Sequence, residues 1–317
     1  MTPFEMAVEL YRGDLVARAS HLASLHPEEL RRRAVQAARD KDTATLWALT
    51  EAYLTTHGVT GALVSRHTLR VYGQAARTFM AYATEHAVNL LNPSANVGLL
   101  YLRHLEADNK SASTVRVMLA GARTLYKALR WSGATTADAF ADARAARDFT
   151  AAWDKRQPYT EEEIQSLLDH ADARMRALLL LCGHTGLRIG EALLLAWADV
   201  DLGARALTVR NGKGGKTRRV NLSSSLVAAL EALAGEEGPV IGGGADAARE
   251  RLHWLCKRVG VSNRGFHSLR HYAGTRLVRE GHTLDATARH LGHASIETAR
   301  IYAKWADDSL RETLDRW

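Results

Sequence analysis

Four short segments of the chain place arginine, histidine, lysine and tyrosine at glycine-punctuated positions. In Thr185-Gly186-Leu187-Arg188-Ile189-Gly190-Glu191, a glycine suited to ending a helix precedes an arginine. Arg188 is expected on a stiff corner, where it either meets a ligand or pairs with Glu191 one helical turn on. In His267-Ser268-Leu269-Arg270-His271, His267 and Arg270 are three apart and share a helix face. An imidazolium beside a guanidinium is repelled, and an anion between the two relieves that. His267 as a plain helix-end residue is the competing reading. His267 and His271 also have the spacing of a metal pair. However, Ser268 stands where the zinc-protease helix carries its glutamate, and no acidic ligand is near, so no metal site is expected.

The third segment is His290-Leu291-Gly292-His293, where Gly292 reads as a helix stop and Ser295 as the cap of the next helix. Tyr302 lies along that helix. A phenol can serve as a nucleophile, but a tyrosine between Ile301 and Trp305 read alone is a packing residue. The stretch 283–302 also has the form of a DNA-reading helix-turn-helix. The fourth segment, Asn211 to Lys216, separates two apolar alternating runs and sets Lys213 and Lys216 at a hairpin tip, with Arg218 and Arg219 just after. A solvated turn and a lysine reaching into a groove are both open. A nucleoside-triphosphate loop is excluded, because neither lysine opens a helix and no Lys-Ser/Thr pair is present.

The elements that must hold these residues fall into two parts. Before about residue 155 the sequence reads as helices only. Amphipathic stretches fill Met1 to Leu54, a helix runs over Ser65–His86, a short one over Val97–Asp108, and another begins at Lys110 carrying Val117, Leu119, Ala120, Leu125 and Leu129. Residues 151–158 read as a linker, polar and closed by Pro158. Thr160 and Glu163 then form a capping box. Beyond it, helices flank a hairpin of Leu207, Val209 and Val220, Leu222. The expected fold is mainly α with a small β-hairpin or sheet in two domains. Residues 1–40 form a helical extension, 41–150 a helical domain, and 159–317 an α+β domain.

The chain's 317 residues exceed one ordinary core. Hydrophobic residues at 46% and charged residues at 24% are those of a soluble globular protein. The longest apolar run, Met175–Cys182, is too short to span a bilayer, and the N-terminus has no signal pattern, so a cytoplasmic protein without a membrane partner is expected. Two distant cysteines, Cys182 and Cys256, exclude a disulfide scaffold. A net charge of +7 favours a polyanionic partner.

Taken together, the four segments resemble the tyrosine recombinase (phage integrase) family, the Xer recombinases included. The resemblance rests on the order of Arg188, Lys213, His267, Arg270, His293 and Tyr302, each on a motif position. It is firm over about Pro158 to Tyr302 and looser over Ala44 to Asp148. It implies a core-binding SAM-like helical domain and a catalytic domain forming a clamp around DNA. It also implies cleavage and rejoining of strands through a 3′-phosphotyrosyl intermediate at Tyr302. Arg188 and Arg270 would clamp the phosphate, His267 and His293 would assist, and Lys213 would be the general acid, with Lys216 as the alternative. Neither cofactor nor metal is needed.

The partner implied is double-stranded DNA with a specific recombination site, bound by a homo- or hetero-tetramer on two such sites. A partner recombinase or accessory activator is a further candidate. Candidate DNA contacts are Ser113, Thr114, Arg116, Arg123, Lys127, Lys216, Arg218 and Arg219. The expected role is Xer-like resolution of chromosome or plasmid dimers at the nucleoid. Mobile-element integration or excision, a type IB topoisomerase and a non-catalytic DNA-binding regulator are the alternatives. The segment Ala306–Trp317 would dock on a neighbouring protomer.

Overall fold

The computed structural model describes residues 3–148, 150, 157–210, 217–233, 237–292 and 301–302, with side chains from residue 9. The chain divides into two compact units, Met1–Phe149 and Thr150–Trp317.

The described part of the first unit is helical: α1 (Pro3–Ala23), α2 (Pro27–Asp40), α3 (Thr43–His57), α4 (Arg66–Glu85), α5 (Val97–Ala107) and α6 (Ala112–Trp131). The starts follow side-chain caps that satisfy otherwise orphaned amides. Asp42 accepts from the Ala44 and Thr45 amides, Ser65 from Thr68 and Ser111 from Thr114. Phe79 of α4 meets Tyr101 of α5 and the later Phe140 edge to face, at 5.0 and 5.1 Å between ring centroids.

Residues 1–40 belong to this body. Leu15 of α1 packs with Val64 and Leu69, and Leu30 and Ala34 of α2 pack with Leu49 of α3. One expectation for α6 fails. Val117 is exposed, because the buried stripe runs through Val115, Leu119, Ala122, Leu125 and Leu129. Position 117 falls two residues, over half a turn, from either neighbour on that stripe.

The second unit contains α7 (Glu161–His170), α8 (Ala173–Gly183), α9 (Ile189–Leu194), β1 (Val200–Asp201), β2 (Ala206–Val209), β3 (Arg218–Asn221), α10 (Ser224–Glu231), α11 (Ala245–Val259), α12 (Phe266–Arg279) and α13 (Leu284–Leu291). The capping box at Thr160 and Glu163 is formed. Helix α8 is buried on all sides from Ala177 to Gly183, as a helix without a polar face must be. It packs against α10 and α12.

The expected hairpin is present as β2 and β3, paired antiparallel with Leu207 opposite Val220 and Val209 opposite Arg218. A two-residue strand, β1, pairs with β2 and makes a three-stranded sheet in the order β1-β2-β3. Both cysteines are free and buried. Among the described residues, no helix is long and apolar enough to cross a membrane.

Candidate active site

Lys213, Lys216 and His293 lie outside the described residues, as do Ser295 and the segment Ala306–Trp317. Of the six residues expected to carry chemistry, Arg188, His267, Arg270 and Tyr302 are described.

Arg188 occupies the corner between α8 and α9. The corner exists because Gly186 takes φ +66°, a left-handed conformation that costs glycine little. It also exists because a side chain at 186 would run into Leu291 of α13. The pairing of Arg188 with Glu191 read from the spacing is present. The Arg188 guanidinium donates to Glu191 Oε1 at 2.8 Å, and the Arg188 amide donates to Oε2 at 3.0 Å. A third of the Arg188 side chain stays exposed, so pairing does not exhaust its five donors.

Arg270 is the outlier of the core. It is 1% exposed and among the largest fully buried side chains. Its Nη1 donates to the carbonyl of Gly186, and its Nη2 has no hydrogen-bond partner among the described residues. Burial, followed by the nearby positive charge of Arg188, lowers its pKa to about 10. It remains a cation at neutral pH. A buried cationic donor with one amine unsatisfied costs several kcal/mol, and an anionic ligand would remove that cost.

Tyr302 is 1% exposed and packs with Ala273, Ala288 and Leu291. The packing reading of this tyrosine is therefore correct as far as it goes. Its ring lies over α12 at Gly274, one turn beyond Arg270, where a Cβ would stand 2.5 Å from ring carbon Cζ. The hydroxyl-bearing end of the phenol thus faces a notch that only glycine leaves open. Burial raises the Tyr302 pKa to about 12, while Arg270 and Arg188 pull it back down. Both arginines therefore act on the phenol that the spacing singled out.

His267 sits at the exposed start of α12, one turn before the buried Arg270. Its ring meets His271 edge to face at 4.7 Å, and His271 in turn meets the Tyr302 ring at 5.8 Å. His271 is therefore the residue that lies between His267 and the phenol. The i, i+4 spacing gave it away, although that spacing was read for a metal.

Glu191 binds more than Arg188. Both its oxygens also accept from Arg218 of β3, at 2.7 and 3.3 Å. Burial alone would raise its pKa, but the hydrogen bonds from Arg218 and the Arg188 amide prevail and hold it at about 2. It is charged at any ordinary pH.

Two expected DNA contacts are placed otherwise. The Arg218 side chain is only 14% exposed and points inward, because it shares the face of β3 with buried Val220. Arg123 turns its guanidinium onto the carbonyls of Phe140 and Ala143, and so fastens the chain that follows α6. Arg116, Lys127, Ser113 and Arg219 are exposed, and Thr114 is half-buried. Ser113 and Thr114 both hydrogen-bond the Ser111 cap at 2.9 Å.

Comparison with known proteins bears on this arrangement. Residues 158–308 match the phage integrase family, and residues 62–133 match the phage integrase N-terminal SAM-like domain. The tyrosine recombinase XerD of Mycobacterium tuberculosis is 30% identical over 285 residues, covering 78% of this chain and 90% of that protein. The tyrosine recombinase XerA of Thermococcus kodakarensis is 28% identical over 269 residues, covering 80% of this chain and 89% of that protein.

Among solved structures, the XerH recombinase in a post-cleavage complex with its palindromic difH substrate superposes with a TM-score of 0.64 at 19% identity. That alignment covers 98% of this chain and 96% of XerH. A lambda integrase dimer bound to a COC′ core site gives 0.64 at 18% identity, covering 86% and 95%. At such identities these two show the shared fold. The two family matches and the XerD relative together show that the chain belongs to the phage integrase family as an Xer-like, site-specific tyrosine recombinase.

Proposed function

We propose that this chain binds a specific double-stranded DNA site and cuts and rejoins its strands through a covalent bond to Tyr302. The observation that carries the reading is the Arg270 amine left without a partner in a buried site, where Arg188 and Tyr302 also act. A phosphodiester seated there would receive donors from both guanidinium groups. Those donors strengthen as charge spreads over the non-bridging oxygens in the transition state.

The Tyr302 oxygen attacks phosphorus, the bond to the 5′ oxygen breaks, and a 3′-phosphotyrosyl link forms. Lys213, or Lys216 on the same turn, donates the proton to the departing 5′ hydroxyl. His267 and His293 supply further hydrogen bonds. Attack by a second strand's 5′ hydroxyl reverses these steps, so the bond energy is kept and no cofactor is consumed.

Likeness to XerD and XerA over most of their lengths supports dimer resolution on a chromosome or plasmid, which would place the protein at the nucleoid. A tetramer on two sites is the assembly such an exchange requires. The two units would close as a clamp on the duplex, with Arg116, Lys127 and Arg219 as phosphate contacts. Truncation after Lys304 should then impair strand exchange more than DNA binding, if the segment Ala306–Trp317 docks on a neighbouring protomer.

The test uses the full chain and fragmented genomic DNA of its source. Denatured protein–DNA adducts are recovered, and the DNA ends attached to Tyr302 are sequenced. One recurring site from the wild type and no adduct from Tyr302→Phe is the expected result. An adduct that survives in Tyr302→Phe assigns the nucleophile elsewhere. Binding without any adduct from the wild type supports a DNA-binding regulator, and supercoil relaxation without exchange between sites supports a topoisomerase.

A further inference from the structure

Arg218 touches three segments that the sequence keeps apart. It lies on β3, two residues beyond Lys216 at the foot of the hairpin. Its two terminal amines fork onto the two oxygens of Glu191, the carboxylate that also receives the Arg188 amide and guanidinium. Its aliphatic and guanidinium atoms fill the space above Gly292, the last residue before His293. A Cβ at position 292 would stand 2.7 Å from Arg218 Cδ and Nε and 2.9 Å from Cζ. Gly292 also holds φ +70°, so the turn is fixed by its backbone and by its contact.

The fork is a rigid connection. A planar guanidinium and a planar carboxylate joined by two bonds have one relative orientation. With Arg218 on one side and Arg188 on the other, Glu191 has no freedom to rotate, and neither does the guanidinium that Glu191 holds. If the site needed only packing, an apolar side chain of similar volume would cost less than a buried ion pair. Two arginines on one carboxylate also leave a net positive charge beside Arg270, where a phosphate would sit.

We propose that Arg218 is a positioning residue, which through Glu191 and its contact with Gly292 sets Arg188 and the turn that ends α13 in one fixed relation at the cleavage site. Arg218 does not touch the DNA phosphate. It acts through the groups it holds, and the inference rests on the assignment of Tyr302 as nucleophile and Arg188 as phosphate clamp.

The experiment uses the full-length protein and an oligonucleotide duplex carrying the site recovered through the wild-type adduct, nicked so that cleavage is irreversible. Single-turnover adduct formation and DNA Kd are measured separately for wild type, Arg218→Met, Arg218→Lys, Gly292→Ala, Tyr302→Phe and the Arg218→Met/Gly292→Ala double variant. Misplacing a catalytic group by about an ångström costs on the order of 10²-fold. Arg218→Met should therefore slow cleavage by about that factor with Kd unchanged. Arg218→Lys should recover part of the rate, since it keeps one charged bond to Glu191.

Gly292→Ala should slow cleavage in both backgrounds, because φ +70° strains an alanine there, and less in Arg218→Met, whose side chain is released from Glu191 and can move away from the added methyl. Should Arg218→Met not fold, Arg218→Lys and Gly292→Ala give the same comparison of rate against Kd. Rate and affinity falling together, or wild-type cleavage by the Arg218 variants while Tyr302→Phe is inactive, overturns the role of Arg218 alone. An adduct from Tyr302→Phe, or none from the wild type, overturns the reading beneath it.

Discussion

In the first unit the largest buried side chains are Tyr101, Tyr126, Phe79 and Phe140, and in the second Arg270 stands among them. Each unit leaves buried polar atoms unsatisfied among the described residues. In the first these are the hydroxyls of Tyr101 and Tyr126, neutral groups whose pKa burial pushes far up. In the second they include nitrogens of Arg270 and Arg218, both cationic. A neutral hydroxyl without a partner costs about 1–3 kcal/mol and is an ordinary by-product of aromatic packing. A buried guanidinium nitrogen without one costs more, and at Arg270, unlike Arg218 with its fork onto Glu191, it marks a place where an anion is expected to bind. One unit is organised to be stable, and the other keeps a cost at its centre.

Arg270→Met tests that contrast most severely. Losing one transition-state donor typically costs 10²–10³-fold, so adduct formation should fall by about 10²–10³-fold. The melting temperature should hold or rise, because the charge is replaced by an apolar chain of similar volume. A large fall in melting temperature would mean that Arg270 is structural.

Phe79→Ala should do the reverse. It should destabilise the first unit by about 3–5 kcal/mol, as aromatic truncations do, and leave the cleavage rate of bound DNA unchanged. Hydrogen exchange resolved by unit reads the first effect, and single-turnover kinetics the second.

Acid gives an intermediate effect. Glu191 has a folded pKa of about 2, below its ordinary value of 4.5. Its contribution to stability is complete above about 4.5 and is lost as pH falls through about 2, because the unfolded chain takes up the proton first. Calorimetry across that window should show the second unit losing stability, with a flatter acid limb in Glu191→Gln. An unchanged limb would show that the carboxylate is not held as described.

The smallest change expected is Tyr126→Phe. Removing a hydroxyl that has no partner among the described residues should raise stability by about 1 kcal/mol, the lower end of the cost of an unpaired hydroxyl, with no effect on cleavage. A substantial loss would reveal a bond to that hydroxyl.

Much of this was readable from residue spacing, because local rules act over a few residues. The caps at Ser65 and Thr160 and the left-handed turns at Gly186 and Gly292 stand where the sequence puts them. The strand β1 was not readable, since two residues carry no period. Arg218 was legible in principle. Alternation along β3 puts it on the side of Val220, yet a run of basic residues after a lysine-rich turn was read as one DNA-facing patch. Arg123 offered no such signal, because its partners Phe140 and Ala143 come from an irregular segment whose path depends on tertiary packing. His271 and Gly274 were visible as residue types, and their contacts with the Tyr302 ring arise only when separate elements are brought together.

The notch at Gly274 bears on how this protein can be improved. Replacing helix-interior glycines by alanine is a standard route to thermostability, worth about 1 kcal/mol each. Gly274 lies well inside α12 and would head any such set of substitutions. The added methyl would meet Cζ, Cε2 and Cε1 of Tyr302 within 2.7 Å. A stability campaign guided by helix propensity alone would thus select a sturdier helix and displace the phenol from its seat. At this position the weakness of the helix and the competence of the enzyme are the same property, and selection for one would select against the other.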